Sequence, residues 1–404
     1  MIMKKLLGIL VLGLLWCNVG YSQTLVKLPK DVGSGSKFYK SLTGKYYKDY
    51  GVQVVNKKDG HPVRSREQSI RFEVRHGDCG KDRVGGWSDC KNDRERHELS
   101  GGDSAMSKGE YWFSWSVYFP KDHQSLYPLS NNYGQFHQQD GPPIFMFKEL
   151  RDGYTVVRSI GEIDYDEGKL VDNKDMPGNW IDILINAKWS KKDDGFFKVW
   201  VNDELKYDYK GPTKTKQYVY QKFGIYSTGL TRYFNYKNFD VIEKCLEEKG
   251  WPAQTKKTFK NLKKKRGLNH KRSIKLYNVC KDFYKPVEVP TRIVYFDEVR
   301  KTKKCEKLRL EELGYNCSDL KNQEMSKIDT ENSSSEEDDS NLNQKNKYRA
   351  VVKNKTDSSI LIKAEGSTKE TAEKEAMKIC IGKSIQSSFK DACYVHYSGE
   401  APKF

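Results

Sequence analysis

After the apolar segment that ends at Trp16, no stretch is long enough to span a membrane. None of the cysteines shows the CxxC-plus-histidine spacing of a zinc site, which argues against a thiolate metal centre. Between about residues 65 and 230 there is almost no helical periodicity. A chain of many short strands without intervening helices excludes an alternating β/α layout and points to an all-β sandwich or jelly roll.

The first 22 residues read as a secretory signal. Lys4 and Lys5 form its charged start, Leu6 to Trp16 its apolar core, and Gly20 and Ser22 the small residues before a cut near Gln23. Trp16 directly before Cys17 is a poor lipoprotein signal, so a soluble secreted or periplasmic monomer is expected. Removal of the signal takes Cys17 with it and reduces nine cysteines to eight. An even count in an exported chain argues for disulfides. Pairing neighbours in order gives 79–90, 245–280, 305–317 and 380–393, although spacing alone leaves the connectivity open. The formal charge is +17, and two less without Lys4 and Lys5. Such a protein is drawn to polyanions, and outside the cytoplasm that more often means acidic polysaccharide or cell envelope than nucleic acid. A solvated lysine surface gives the same balance.

Strand patterns recur through the first 300 residues. Ser69 to Arg75 alternates strictly, with Ile70, Phe72 and Val74 opposite Arg71, Glu73 and Arg75. Tyr111–Phe119, Trp180–Ala187 and Tyr218–Tyr226 read as strands, and Gly195–Val201 with Leu205–Tyr209 as a hairpin about Asn202-Asp203. Residues 242–285 read as a helical insertion, with a basic run from Lys256 to Lys275. Arg292 to Val299 then resumes the sandwich. Residues 321–347 centre on an acidic, serine-rich run and are expected to form a disordered linker. Residues 348–404 read as a small α+β domain of three strands and a helix after Ser367 or Thr368, stapled by Cys380 and Cys393. The expected organisation is therefore a signal at 1–22, a sandwich domain at 23–320, the linker, and this last domain.

Three segments carry polar residues in chemically useful patterns. On Tyr133-Gly134-Gln135-Phe136-His137, period two places Gln135 and His137 on one face and Phe136 on the other. In Arg94 to Leu99, the residues Arg94, Arg96 and Glu98 share a face, with His97 turned away unless a bulge intervenes. In Lys222 to Tyr226, the same rule puts Lys222, Gly224 and Tyr226 together, and Gly224 would let a sugar ring approach the sheet.

In these motifs the chain resembles the polysaccharide lyases of jelly-roll fold, the group that includes heparin lyase I, glucuronan lyase and jelly-roll alginate lyases. The likeness lies in Arg96-His97-Glu98-Leu99, Gln135-Phe136-His137, Lys222 to Tyr226, and Tyr295, Asp297, Val299 and Arg300, over about residues 65–302. It is greatest to the heparin lyase I and glucuronan lyase branch. Ser100 stands where the alginate enzymes usually carry a second arginine, and Thr228 where they tend to have glutamine, which weakens an alginate assignment.

The resemblance implies β-elimination of a uronic-acid polymer: a base removes the proton at C5 and an acid protonates the departing oxygen on C4. The sugar carboxylate makes the C5 proton very weakly acidic, so its charge must first be neutralised. Gln135 and Arg96 are the expected neutralising groups. His137 is the expected base and Tyr226 the expected acid, with Tyr226 or His97 as alternative bases. Lys222, Glu98, Arg94 and His97 are expected around the substrate, and Glu98 is expected to orient Arg96. No cofactor is required, and Asp297 leaves room for a structural calcium. Two other readings fit less of the pattern. A glycoside hydrolase would need paired carboxylates such as Glu162, Asp164 and Asp166. A non-catalytic module would bind acidic glycans without cutting them.

Overall fold

The computed structural model describes residues 25–30, 32–33, 37–42, 46–81, 86–160, 164–250, 270–321, 323, 348–354, 361–366 and 393–400. The signal segment, most of the basic run and linker, Glu162, and the helix and Cys380 of the last domain lie outside these residues. The chain divides into two compact units, residues 1–327 and 328–404.

In chain order the strands of the first unit are β1 (Leu25–Lys27), β2 (Lys37–Lys40), β3 (Val52–Asn56), β4 (Gln68–Val74), β5 (Arg94–Ser100), β6 (Gly109–Tyr118), β7 (Ser130–Gln138), β8 (Pro143–Leu150), β9 (Gly153–Ile160), β10 (Asp164–Asp172), β11 (Trp180–Trp189), β12 (Phe196–Val201), β13 (Glu204–Lys210), β14 (Val219–Thr228) and β15 (Arg292–Thr302). They form two antiparallel sheets of a jelly-roll sandwich. One has the order β1-β2-β5-β14-β7-β8-β9-β10, the other β13-β12-β11-β6-β15-β4-β3. The expected all-β class is what the chain adopts.

Alternation along each strand explains the layers. On β6, Phe113, Trp115 and Val117 enter the core between the sheets, while Trp112 joins a second apolar cluster on the outer face. There Trp112, Leu184 and Trp200 meet Leu308, Leu310 and Leu320 from the segment after β15, which Cys305–Cys317 closes. This covers the seven-stranded sheet on both sides. Phe136 of β7 is fully buried and touches Phe113, Trp189 and Phe197 edge-on or tilted, with centroids 4.8–5.5 Å apart. Its neighbours Gln135 and His137 therefore point outward, as period two predicts.

Helices α1 (Leu230–Lys237), α2 (Phe239–Glu248) and α3 (His270–Cys280) make up the described part of the insertion. The helical region thus begins at Leu230 rather than near residue 242. The aromatic residues Tyr233, Phe234 and Tyr236 read locally as strand. Gly229 turns the chain with φ +86°, and Asp93 accepts bonds from the Thr231 N–H and hydroxyl, both at 2.8 Å, so α1 starts there. Cys245–Cys280 joins α2 to α3 over Ile242, Leu246 and Leu276. The described disulfides, these two and Cys79–Cys90, match the neighbour-in-order pairing. The second unit contributes β16 (Tyr348–Asn354), β17 (Leu361–Gly366) and β18 (Cys393–Glu400), antiparallel in the order β17-β16-β18.

Truncating Phe136 to alanine would leave a cavity under the polar strand face. The Phe136→Ala variant is expected to lose roughly 3–5 kcal/mol of stability, seen as an earlier midpoint in chemical denaturation.

Candidate active site

The outer face of the eight-stranded sheet bears a cavity of about 1060 Å³. Arg94, Arg96, Gln135, His137, Lys222 and Tyr226 all line it, so three distant strands converge as the motif pattern requires. Register sets their neighbours. Tyr226 lies opposite Arg96 on one side and Asn132 on the other, Lys222 opposite Ser100 and Gln135, and Tyr220 opposite His137. On β8, Lys148 lies opposite Asn132.

Two bulges flank Tyr226 and Asn132 on this face. Relative to β7, strand β14 carries an extra residue between Phe223 and Tyr226; relative to β8, β7 carries one between Asn132 and Gly134. The first bulge corrects the expectation for Gly224. Its φ is +129°, and a Cβ there would lie 2.6 Å from the His97 carbonyl and 2.7 Å from the Phe72 ring. Gly224 is needed for close packing against β5 and the core, not to admit a sugar ring.

Glu98 lies beneath the cavity floor, 2% exposed. It accepts hydrogen bonds from the Lys222 ammonium at 2.5 Å, the Gln135 amide, the Ser41 hydroxyl at 3.4 Å and Arg96 Nη1 at 3.4 Å. Burial pushes its pKa up, but the Lys222 and Arg96 charges win and hold it below the usual carboxylate range. Arg96 also grips Asp89 through Nε at 2.6 Å and through Nη2. Burial opposes its charge, and the Asp89 bond outweighs that and keeps its pKa raised. Three of its N–H groups are thereby committed to carboxylates. The guanidinium sits 4.0 Å from the Tyr226 ring centroid, a cation–π contact.

His137 donates from Nδ1 to the Gln138 carbonyl at 2.8 Å, which leaves Nε2 as the lone-pair nitrogen. The Tyr220 hydroxyl lies 3.1 Å from Nδ1. Burial, then the Lys222 charge, lowers the His137 pKa to about 4, so its imidazole is neutral near pH 7. Burial raises Tyr226 to about 12 against the opposing pull of Arg96 and Arg94, so its phenol stays protonated. One cavity therefore presents a neutral imidazole, able to accept a proton, and a protonated phenol, able to donate one.

Residues 45–243, which contain all of these side chains, match the polysaccharide lyase family model. The chain carries a polysaccharide lyase domain. Among solved structures, an endo-β-1,4-glucuronan lyase from the fungus Trichoderma reesei is similar at 13% identity and TM-score 0.37, covering 64% of this chain and 90% of that one. The Pseudomonas aeruginosa alginate lyase PA1167 is similar at 16% identity and TM-score 0.29, covering 45% and 78%. An alginate lyase of polysaccharide lyase family 7 is similar at 19% identity and TM-score 0.25, covering 39% and 66%. No curated protein matches the chain.

Other expected residues of the lyase domain lie elsewhere. His97 is 2% exposed on the opposite side of β5, with Nε2 3.3 Å from Asp78 and its ring edge-on to Tyr50. No bulge turns β5, so His97 is a packing residue and not a second base. Glu98 is a buried counter-ion rather than a substrate contact. Gln135 spends one N–H on Glu98 and keeps the other. Asp297 accepts the backbone N–H groups of Arg64, Ser65 and Glu298 at 2.8–3.1 Å, and burial raises its pKa to about 8. A carboxyl ringed by donors does not fit a calcium ligand. Among the described residues no group of three or more His, Cys, Asp or Glu could hold a metal.

Sequence reasoning passed over Trp87, Asp89, Asn132, Lys148 and Tyr220, which also line the cavity. Tyr220 shares the alternation of Lys222 and was open to the same rule. Asp89 and Trp87 sit in a loop closed by Cys79–Cys90, where no periodicity guides the eye. Asp89→Asn breaks the buried pair with Arg96. It is expected to cost roughly 3 kcal/mol of stability in chemical denaturation and to lower turnover of any uronate polymer the domain cuts.

Proposed function

We propose that this domain acts outside the cytoplasm on a uronic-acid-containing polysaccharide, with His137 and Tyr226 carrying the proton transfers of its β-elimination. The observation that carries this reading is the placement of a neutral His137 and a protonated Tyr226 in one cation-lined cavity. His137 Nε2 takes the C5 proton, and the Tyr226 hydroxyl protonates the oxygen leaving C4. Gln135, through its remaining N–H, and the free N–H groups of Arg96 face the charge that grows on the sugar carboxylate. Lys222 is tied to Glu98, and it adds to the positive field while disfavouring protonation of His137.

The disulfides support an oxidising compartment. Paired carboxylates for a hydrolase are poorly supported. Asp89 lines the cavity but is committed to Arg96, and Asp164 lies on the edge strand β10.

Incubation with glucuronan, alginate and heparin-type chains is expected to generate the ultraviolet absorbance of a new C4–C5 double bond with at least one of them. Absence of that signal from every uronate polymer, with cleavage of a neutral glycan instead, would overturn the reading. Tyr226→Phe is expected to lower kcat by roughly 10²–10⁴-fold.

The pH dependence follows from the sign of the His137 shift. The base must be neutral, and with a pKa of about 4 it is neutral at all higher pH. The acid limb of kcat/KM is therefore expected near pH 4, well below the roughly 6.5 of an ordinary histidine. A limb at the ordinary value would show that His137 titrates in water or is not the base.

A further inference from the structure

The charges beneath the cavity cancel in pairs. Arg96 and Lys222 face Asp89 and Glu98, two cations against two carboxylates. Beyond this group the cavity wall carries Lys148, on β8 beside Asn132, and Arg94, on β5 two residues from Arg96. Asp140, another carboxylate of the lining, lies in the turn before Pro143, at the opposite end of β8 from Lys148.

Particular polar atoms here lack partners, although Arg94 donates from Nη1 to the Asn92 carbonyl at 2.9 Å. Asn132 is 3% exposed and lines the cavity, yet neither its side-chain nitrogen nor its oxygen has a hydrogen-bond partner. Leaving such an amide unpaired is costly, so a group that enters the cavity and accepts from it would be bound favourably. Lys148 is its direct cross-strand neighbour and shares its face. Nε of Arg94 is likewise buried and unpartnered. Burial, then the like charges of Arg232 and Arg94, depresses Lys148 to about 8, with Glu167 opposing. The ammonium is still charged at neutral pH but lies in a site that repels it. An anion placed there would relieve both the repulsion and the unpaired amide.

We propose that Asn132, Lys148 and Arg94 form a second subsite of the lyase, which holds the carboxylate of the sugar next to the one that is cut. The position suits that role. Lys148 lies two residues along β8 from Met146, which faces Gln135, a displacement of roughly 7 Å along the strand. That is of the order of one sugar ring. Tyr226 stands beside Asn132, so the subsite adjoins the proposed acid. A lyase built this way selects polymers with acidic groups on consecutive sugars over polymers in which acidic and neutral sugars alternate.

The subsite rests on the lyase reading for its place beside the scissile bond, but its binding can be measured without turnover. Calorimetry in a Tyr226→Phe background would compare a fully acidic oligouronate with the same oligomer after partial reduction of its carboxyl groups to neutral alcohols. The unsubstituted subsite is expected to prefer the acidic oligomer by roughly tenfold or more, the size of one charge-assisted hydrogen bond. Lys148→Met, which keeps the side-chain length, is expected to abolish most of that preference, and Asn132→Ala to weaken it. Lys148→Arg is expected to retain it, which separates loss of charge from a packing defect. A Lys148→Met protein that keeps the full preference would overturn the proposal, as would equal loss in Lys148→Arg. If the unmodified enzyme yields no ultraviolet signal from any uronate polymer, the lyase reading falls on its own, and the calorimetric comparison still decides the subsite.

Discussion

A buried carboxylate under the floor of a polar cavity organises this enzyme. Glu98 sits where three strands meet and receives the ammonium of Lys222, the amide of Gln135 and one arm of Arg96. An ion buried alone would be prohibitively costly, and one with several donors is tolerated. By gathering these donors, Glu98 fixes the spacing of the side chains above it. Asp89 does the same for the far side of Arg96, from a loop that Cys79–Cys90 closes. The carboxylates thus serve geometry, and the groups facing the cavity keep the chemistry.

The same network sets protonation states. Burial of His137 and the nearby charge of Lys222 disfavour a second positive charge, so the imidazole stays neutral. Burial keeps Tyr226 protonated although two guanidinium groups lie near its ring. The imidazole and the phenol are shifted in opposite senses within one cavity, which suits the proton transfers proposed for them.

The sandwich makes such a site affordable. Its aromatic core and the covered outer face of the seven-stranded sheet hold most of the apolar burial. The outer face of the other sheet is left free to carry unpaired polar groups. Asn132 and Lys148 are held there by strands whose Phe136, Phe145 and Phe147 are buried between the sheets.

Much of this was legible from residue order. Alternation correctly assigned Phe136 to the core and Gln135 and His137 to the opposite face. It also turned His97 away from Arg96 and Glu98, because a strand without bulges obeys period two strictly. Pairing neighbouring cysteines in order matches the three described disulfides, although spacing alone left other connectivities open. What alternation could not reach was anything governed by a break in it. Asn132 stands an odd number of residues from Gln135 and should face the other way; only the bulge at Tyr133 returns it to the cavity. Gly224 was assigned to the sugar side for the same reason and belongs to the packing side. Asp89 and Lys148 reach the site through a closed loop and a neighbouring strand, contacts between residues far apart in sequence. Local pattern governs which way a side chain points on a regular strand, whereas bulges, loop closure and long-range pairing govern which side chains meet.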